Sequence, residues 1–320
     1  MLKRVNSLPI NIHYVNFVYN YVNWGMNQRV KRVLNKTADI ILTVQIIAFI
    51  MLALYVGIRI FVFESYSIPT YSMVPTLIPG DKILVNKVHH GARLYRDLDF
   101  IDSLENPDVI RVHGLRPIRN NDIVVFNFPY GRGWDSIYME HAKFFCKRCI
   151  AVPGDTLSIK NGIYMVNGKQ GFGYMEDQLT MKRTFRITNY PDTVAYPIHP
   201  EVKWTLLDFG PMLIPKAGDT IALGRQEFLV YRRMITFETS SKIVWNDSLQ
   251  CCTKDGAPML SYKFTKDWYF MGGDASHNSQ DSRYFGPIPD DFIAGRATHI
   301  YWSKDRHSGK IRTDRFMQRL

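Results

Sequence analysis

The stretch FFCKRCIAVPGD, residues 144–155, reads as a strand that is apolar on both faces. Its odd positions Phe145, Lys147, Cys149 and Ala151 share one face, and its even positions Phe144, Cys146, Arg148, Ile150 and Val152 share the other. Each face is interrupted by a single cation. A segment of this kind is expected to be buried, and a buried lysine needs a reason to be there. The fold of the chain and its chemistry both turn on that residue.

Outward from this stretch, further strand patterns follow: DKILVNKV, NDIVVFNF, DTLSIK, GIYMVNG, DTIALG, EFLVYRRMITF, YKFTKDWYFMGG and FIAGRATHIYW. Their alternation and β-branched content, separated by Gly, Asn and Pro, predict a mostly β, antiparallel architecture. YMVNGKQ contains an Asn-Gly pair suited to a tight hairpin-type turn. Residues 162–261 are aromatic, polar and irregular, and are expected to form an inserted β-rich subdomain. The closing SKDRHSGKIRTDRFMQRL is strongly basic and is expected to be a loose, solvated tail.

The run IILTVQIIAFIMLALYVGI, residues 40–58, contains only Gln45 as a strongly polar side chain. As a helix it would span roughly 28 Å, close to the hydrocarbon thickness of a bilayer. Lys3, Arg4, Arg29, Lys31, Arg32 and Lys36 precede it with no acidic residue among them, whereas few charges follow it before residue 83. The positive-inside rule then places the N-terminus in the cytoplasm and everything after residue 63 on the outer face. INIHYVNFVYNYVNW, further upstream, suits an interfacial helix at most. The expected division is a basic cytoplasmic segment 1–36, an anchor 37–63, a catalytic β domain 64–161 and 262–303, the insert 162–261, and the tail 304–320.

The formal net charge of +11 raises the question of nucleic acid. Most of the excess sits in the N-terminal segment and the rest of the chain is nearly balanced, so no phosphate-binding groove and no nucleic-acid partner is expected. Cys146 and Cys149 face opposite sides of a strand, which is poor geometry for a disulfide. Their spacing from Cys251 and Cys252 matches no common zinc knuckle, so no metal is expected, while a disulfide involving Cys251 or Cys252 stays open.

SYSIPTYSMVPTLIPGDKILV begins just beyond the apolar run. Pro69, Pro75 and Pro79 exclude a regular helix or central strand and stiffen a loop that presents Thr70, Ser72 and Thr76. This segment resembles the nucleophile box of type I signal peptidases. NDIVVFNFP resembles that family's next strand box, KRCIAVPGD its lysine box, and GGDASHNSQDSRYFGPIP its last box. The four occur in the family's order behind one apolar segment. The resemblance implies a membrane-bound serine endopeptidase, single-pass in the inner (plasma) membrane with its catalytic domain on the periplasmic face. Its substrates would be exported preproteins bearing signal peptides, its other partner the lipid surface, and it would need no cofactor.

Residue by residue, the resemblance implies Ser72 as nucleophile and Lys147 as general base. An amine can act as a base only when neutral, and burial among apolar side chains depresses a lysine pKa. Thr70 matches a position whose hydroxyl helps bind the oxyanion, and Ser279 a serine that orients the lysine amine. Asp281 and Arg283 match a supporting pair. Where the family commonly continues Asn-Arg-Asp after Gly273-Asp274, this chain has Ala275-Ser276-His277. That departure leaves the role of Asp274 open and introduces His277 as an alternative base. Met73, Val74, Leu77 and Ile78, next to the nucleophile, are expected to line shallow substrate pockets or to touch the bilayer. A catalytically silent anchored β protein and a self-cleaving Ser–Lys regulator are the rival readings.

Overall fold

The apolar run lies within one continuous helix, α1 (Gln28–Phe61), in a computed structural model that describes residues 28–96, 106–131, 133–187 and 194–320. The helix is long and apolar enough to cross a membrane, and none of its residues is buried. The segment read as an interfacial helix lies outside the described residues. Met1–Ile58 and Arg59–Leu320 are two separate compact units.

The second unit is mostly antiparallel β. In chain order it begins with β1 (Phe63–Ser67), β2 (Asp81–Asn86), the short pair β3 (Arg93–Tyr95) and β4 (Val109–Arg111), β5 (Ile123–Phe128) and the long β6 (Glu140–Ala151). Then come β7 (Thr156–Lys160), β8 (Ile163–Val166), helix α2 (Met175–Ile187), β9 (Phe209–Leu213), β10 (Thr220–Ala222) and helix α3 (Arg225–Thr239). Four short strands follow, β11 (Ile243–Asn246), β12 (Cys251–Lys254), β13 (Ala257–Met259) and β14 (Ser261–Lys263). The chain closes with β15 (Trp268–Gly272), the short helix α4 (Ser282–Phe285), β16 (Ile288–Pro289), β17 (Ile293–Ser303) and β18 (Gln318–Arg319). The main sheet runs β1-β2-β17-β5-β6-β15-β16, with β18 added to β17.

Strand β5 shows why both faces of this sheet must be covered. All six of its residues are buried. Val124, Phe126 and Phe128 enter the large core, while Ile123 and Val125 enter a smaller one with Ile68, Met73 and Leu77. Alternation along one strand thus feeds two separate cores. Strand β6 pairs with β5 along most of its length, Val124 opposite Lys147 and Phe126 opposite Phe145. On its other side β15 reaches only Arg148, Cys149 and Ala151. Among the described residues, no strand pairs with that edge of the earlier half of β6, and Phe144 is exposed where the sequence pattern predicts burial. The sheet curls so that Tyr66 at the end of edge strand β1 meets Phe144, with ring centroids 5.0 Å apart.

One strand expectation is corrected here. EFLVYRRMITF is not a strand but most of helix α3. Its apolar run is too short to separate the two periods, and Phe228, Leu229, Tyr231, Met234 and Ile235 are all buried on the helix. Residues 162–261 accordingly hold two helices as well as strands, and their Tyr164, Phe209 and Met234 share one core with Phe126 and Phe270. All four cysteines are free thiols. The Asn-Gly turn is present as expected: Asn167 and Gly168 both have positive φ, and Val166 bridges Lys169.

The basic tail is not loose either. β18 pairs with His299 and Ile300 of β17, and Arg306 donates to the carbonyl of Pro69. Arg315 donates to both oxygens of the fully buried Asp81, at 3.0 and 2.7 Å, and to the carbonyl of Thr76 at 2.8 Å. Charge density in a sequence suggests solvation, but buried carboxylates and loop carbonyls are partners that sequence alone does not reveal. Arg315→Ala leaves Asp81 with the Ile78 N–H and the Ser303 hydroxyl. The expected cost is about 2–3 kcal/mol, the value of charged hydrogen bonds. A thermal melt of the full chain checks this, and an unchanged Tm would mean that the tail contributes nothing.

Candidate active site

The loop between β1 and β2 is closed at its base by Ile68 N–H to Asp81 O and Gly80 N–H to Ile68 O. Gly80 has φ +97°, and the Lys304 carbonyl occupies the space a Cβ would need, so only glycine suits this turn. Within the loop, Val74 N–H donates to Tyr71 O and Leu77 N–H to Met73 O, winding the chain tightly past Ser72. Met73 and Leu77 are buried and anchor the loop in the smaller core. Each contributes about 1.5–3 kcal/mol by burial.

Ser72 Oγ lies 2.5 Å from Nζ of Lys147. Thr70 Oγ1 is 3.4 Å from the same hydroxyl. Lys147 is only 4% exposed. Burial pushes its pKa down from the ordinary 10.5, with the Asp281 carboxylate as the chief opposing influence. The strand thus carries its lysine into a place where the charged form is penalised and a serine hydroxyl is within reach.

The last box braces this pair from behind. Ala275 N–H donates to the carbonyl of Ser72 at 3.1 Å. A Cβ on Gly273 would collide with Ser279 Oγ and with that same carbonyl. Asp281 is fully buried and accepts from Gly273 N–H at 2.9 Å, from Arg283 Nε at 2.8 Å and from the other arm of that guanidinium at 2.7 Å. Burial alone would raise the Asp281 pKa; the Arg283 guanidinium, these hydrogen bonds and Lys147 outweigh it and hold the carboxyl below its ordinary range. Arg283 also donates to the carbonyl of Ser276. The Ser279 hydroxyl is buried and makes no hydrogen bond among the described residues, so its expected bond to Lys147 is not formed here.

The second cation of the opening stretch also has its reason. Arg148 grips Asp274 with Nε at 2.7 Å and a terminal nitrogen at 2.5 Å, and Thr76 Oγ1 donates to the same carboxylate. Burial lowers the Arg148 pKa, but the hydrogen bond and charge of Asp274 outweigh it and leave the pKa raised. Asp274 therefore ties the nucleophile loop to the lysine strand, and its charge is met without the basic residue that the family commonly carries next to it. Sequence reasoning missed this partnership, although a second cation on the opposite face of the strand was the available signal. His277 is bound elsewhere: its Nδ1 lies 2.9 Å from Asp177 Oδ1 on α2. It does not line the cavity that contains Ser72.

That cavity has a volume of about 590 Å³ and is walled by Tyr66, Ile68, Val125, Phe144 and Cys146, with Ser72 and Lys147 on its lining. Of the four loop residues expected to line substrate pockets or to touch the bilayer, only Met73 lines this cavity. Leu77 is fully buried in the core, and Val74 and Ile78 are half-buried outside the lining, because the tight winding after Ser72 turns this side of the loop inward. The walls come instead from loop residues 68–73 and from β1, β5 and β6, with Asn278 and Gln280 of the last box.

Comparison with known proteins gives several matches. A family model described as signal peptidase, peptidase S26, matches residues 40–302. A signal peptidase I of Buchnera aphidicola subsp. Schizaphis graminum is 27% identical over 275 residues, covering 82% of this chain and 75% of the relative. A signal peptidase I of Aquifex aeolicus is 27% identical over 268 residues, covering 80% and 82%. A solved signal peptidase I of Enterococcus faecalis aligns over 57% of this chain and 98% of its own, at 16% identity and a TM-score of 0.27.

Proposed function

The chain belongs to the signal peptidase family, peptidase S26, and we propose that it removes signal peptides from exported preproteins by a Ser72–Lys147 dyad. The observation that carries this reading is the 2.5 Å approach of Lys147 Nζ to Ser72 Oγ at a buried position. In the proposed cycle, the neutral amine of Lys147 takes the Ser72 proton as Oγ attacks the carbonyl carbon of the scissile bond. The Ser72 N–H and the Thr70 hydroxyl receive the developing oxyanion, where one such donor contributes about 2.7–4 kcal/mol in comparable hydrolases. The Lys147 ammonium then returns its proton to the departing amine. Water, activated by the same amine, hydrolyses the ester and frees Ser72.

An extended substrate would add to the open edge of β6, facing β1 across the cavity. Alternate side chains would point at Tyr66, Ile68, Val125, Phe144 and Cys146, and small residues would be preferred at −1 and −3, as in A-x-A-like sites. Helix α1 would anchor the enzyme in the membrane, N-terminus cytoplasmic, and concentrate it with membrane-tethered preproteins. Ser279, Asp274, Asp281 and Arg283 would act as positioning residues. The Ser–His alternative is disfavoured by the engagement of His277 with Asp177.

The test is cleavage of a preprotein across a pH series. Protonation disables the base, so kcat/KM is expected to rise with pH through an apparent pKa below 10.5 and then level off. Activity appearing only above pH 10 would contradict the buried amine. Absence of both turnover and Ser72 labelling by a serine-directed acylating probe would favour the silent β protein.

A further inference from the structure

The cavity carries one positive charge that the proposed chemistry does not use. Lys143 stands on β6 four residues before Lys147, lines the same cavity and is exposed. Residues 143, 145 and 147 alternate onto one side of the strand. The Lys143 ammonium sits 4.2 Å from the ring centroid of Phe128 and 5.4 Å from that of Phe145. Two rings hold it in place without neutralising it, since a cation over an aromatic face keeps its full charge. Among the described residues that line the cavity there is no carboxylate. Glu64, which binds the Tyr66 hydroxyl, is already paired with Lys87 and Arg59. Lys147 is neutral when it acts as a base, so Lys143 sets the electrostatic sign of the groove.

We propose that Lys143 determines charge specificity: it favours substrates with a carboxylate, and disfavours those with an ammonium or guanidinium, about four residues from the scissile bond. This rests on the reading of β6 as the edge to which substrate adds. The register follows from strand geometry. The Cα atoms of Lys143 and Lys147 are four residues apart on β6, roughly 13 Å at about 3.3 Å per residue. The two ammoniums, however, lie 5.4 and 5.5 Å from the same Phe145 ring centroid and so are at most about 11 Å apart, the span of three to four residues of an extended substrate. A substrate charge three or four positions from the bond that meets Lys147 therefore passes beside Lys143.

The experiment uses the full chain in detergent and peptides with an Ala-x-Ala site that differ at one position. That position carries Glu, Gln or Lys, placed two to five residues from the scissile bond on either side. Wild type is expected to prefer Glu over Lys by roughly three- to tenfold in kcat/KM at one position about four residues away. The preference should shrink in 0.5 M NaCl. In Lys143→Gln the Glu/Lys ratio should fall to about one, and in Lys143→Glu it should invert. The ratio is read within each variant, so a general change in rate cancels. A ratio that is the same in wild type and Lys143→Glu overturns the proposal while leaving the dyad standing. Failure of wild type to cleave any peptide overturns both.

Discussion

Lys147→Met is expected to reduce preprotein cleavage by on the order of 10⁴-fold or more, the scale seen when one member of a nucleophile–base pair is removed. Methionine keeps an unbranched side chain of similar length in a space that is already apolar, so folding should survive. Stability should in fact improve near neutral pH. The folded-state pKa of Lys147 is depressed, so between that value and 10.5 the unfolded chain binds the extra proton. Stability of the wild type then rises with pH across that window, and below it the buried lysine is at its most costly. Methionine carries no such cost, and the advantage of the variant should shrink as pH approaches 10.5. Ser72→Ala should lose activity on the same scale, and the double variant should be no worse than either single one, because the two side chains act as a unit. Cleavage by Lys147→Met within about a hundredfold of wild type would reject the dyad.

Arg283→Met is expected to be the most damaging single change to stability. Arg283 is 2% exposed and its guanidinium meets both oxygens of Asp281, which is 0% exposed. Removing one partner of a buried pair strands the other charge at a cost of about 3–5 kcal/mol. For a unit of this size that corresponds to a fall in Tm of roughly 6–20 °C. The depressed Asp281 pKa should disappear with Arg283, so the part of the stability that wild type loses only at acidic pH would be lost at neutral pH. Asp281→Asn combined with Arg283→Met should recover part of the loss, since the amide still accepts from Gly273 N–H without a charge to strand. A drop in Tm of less than about 2 °C in the single variant would show that the pair is not what holds the last box in place.

Both predictions concern residues that were legible before any fold was known. The alternation through residues 144–152 identified a strand, and the cation on each face marked two positions that needed partners. Asn167-Gly168 announced its turn for a local reason, since few residue pairs accept two positive φ values. The apolar run announced a membrane-length helix because its period matters little when nearly every side chain is apolar. Helix α3 was misread because Phe228 to Tyr231 form an uninterrupted apolar run that suits either period, and packing rather than pattern chose the helix.

What the sequence determined by itself is therefore local: where most strands run, where the loop must stiffen, and which lysine stands apart on an apolar strand, while Ser72 was marked by the family resemblance. Tertiary structure alone decided who meets whom. It matched Arg148 to Asp274, bound His277 to Asp177, folded the basic tail onto Asp81 and built the cavity wall from loop residues 68–73 with β1, β5 and β6 rather than from Val74, Leu77 and Ile78. Strand and turn preferences are set by neighbours a few residues away. A buried charge is satisfied by whatever the curling sheet brings to it, from up to 234 residues along the chain.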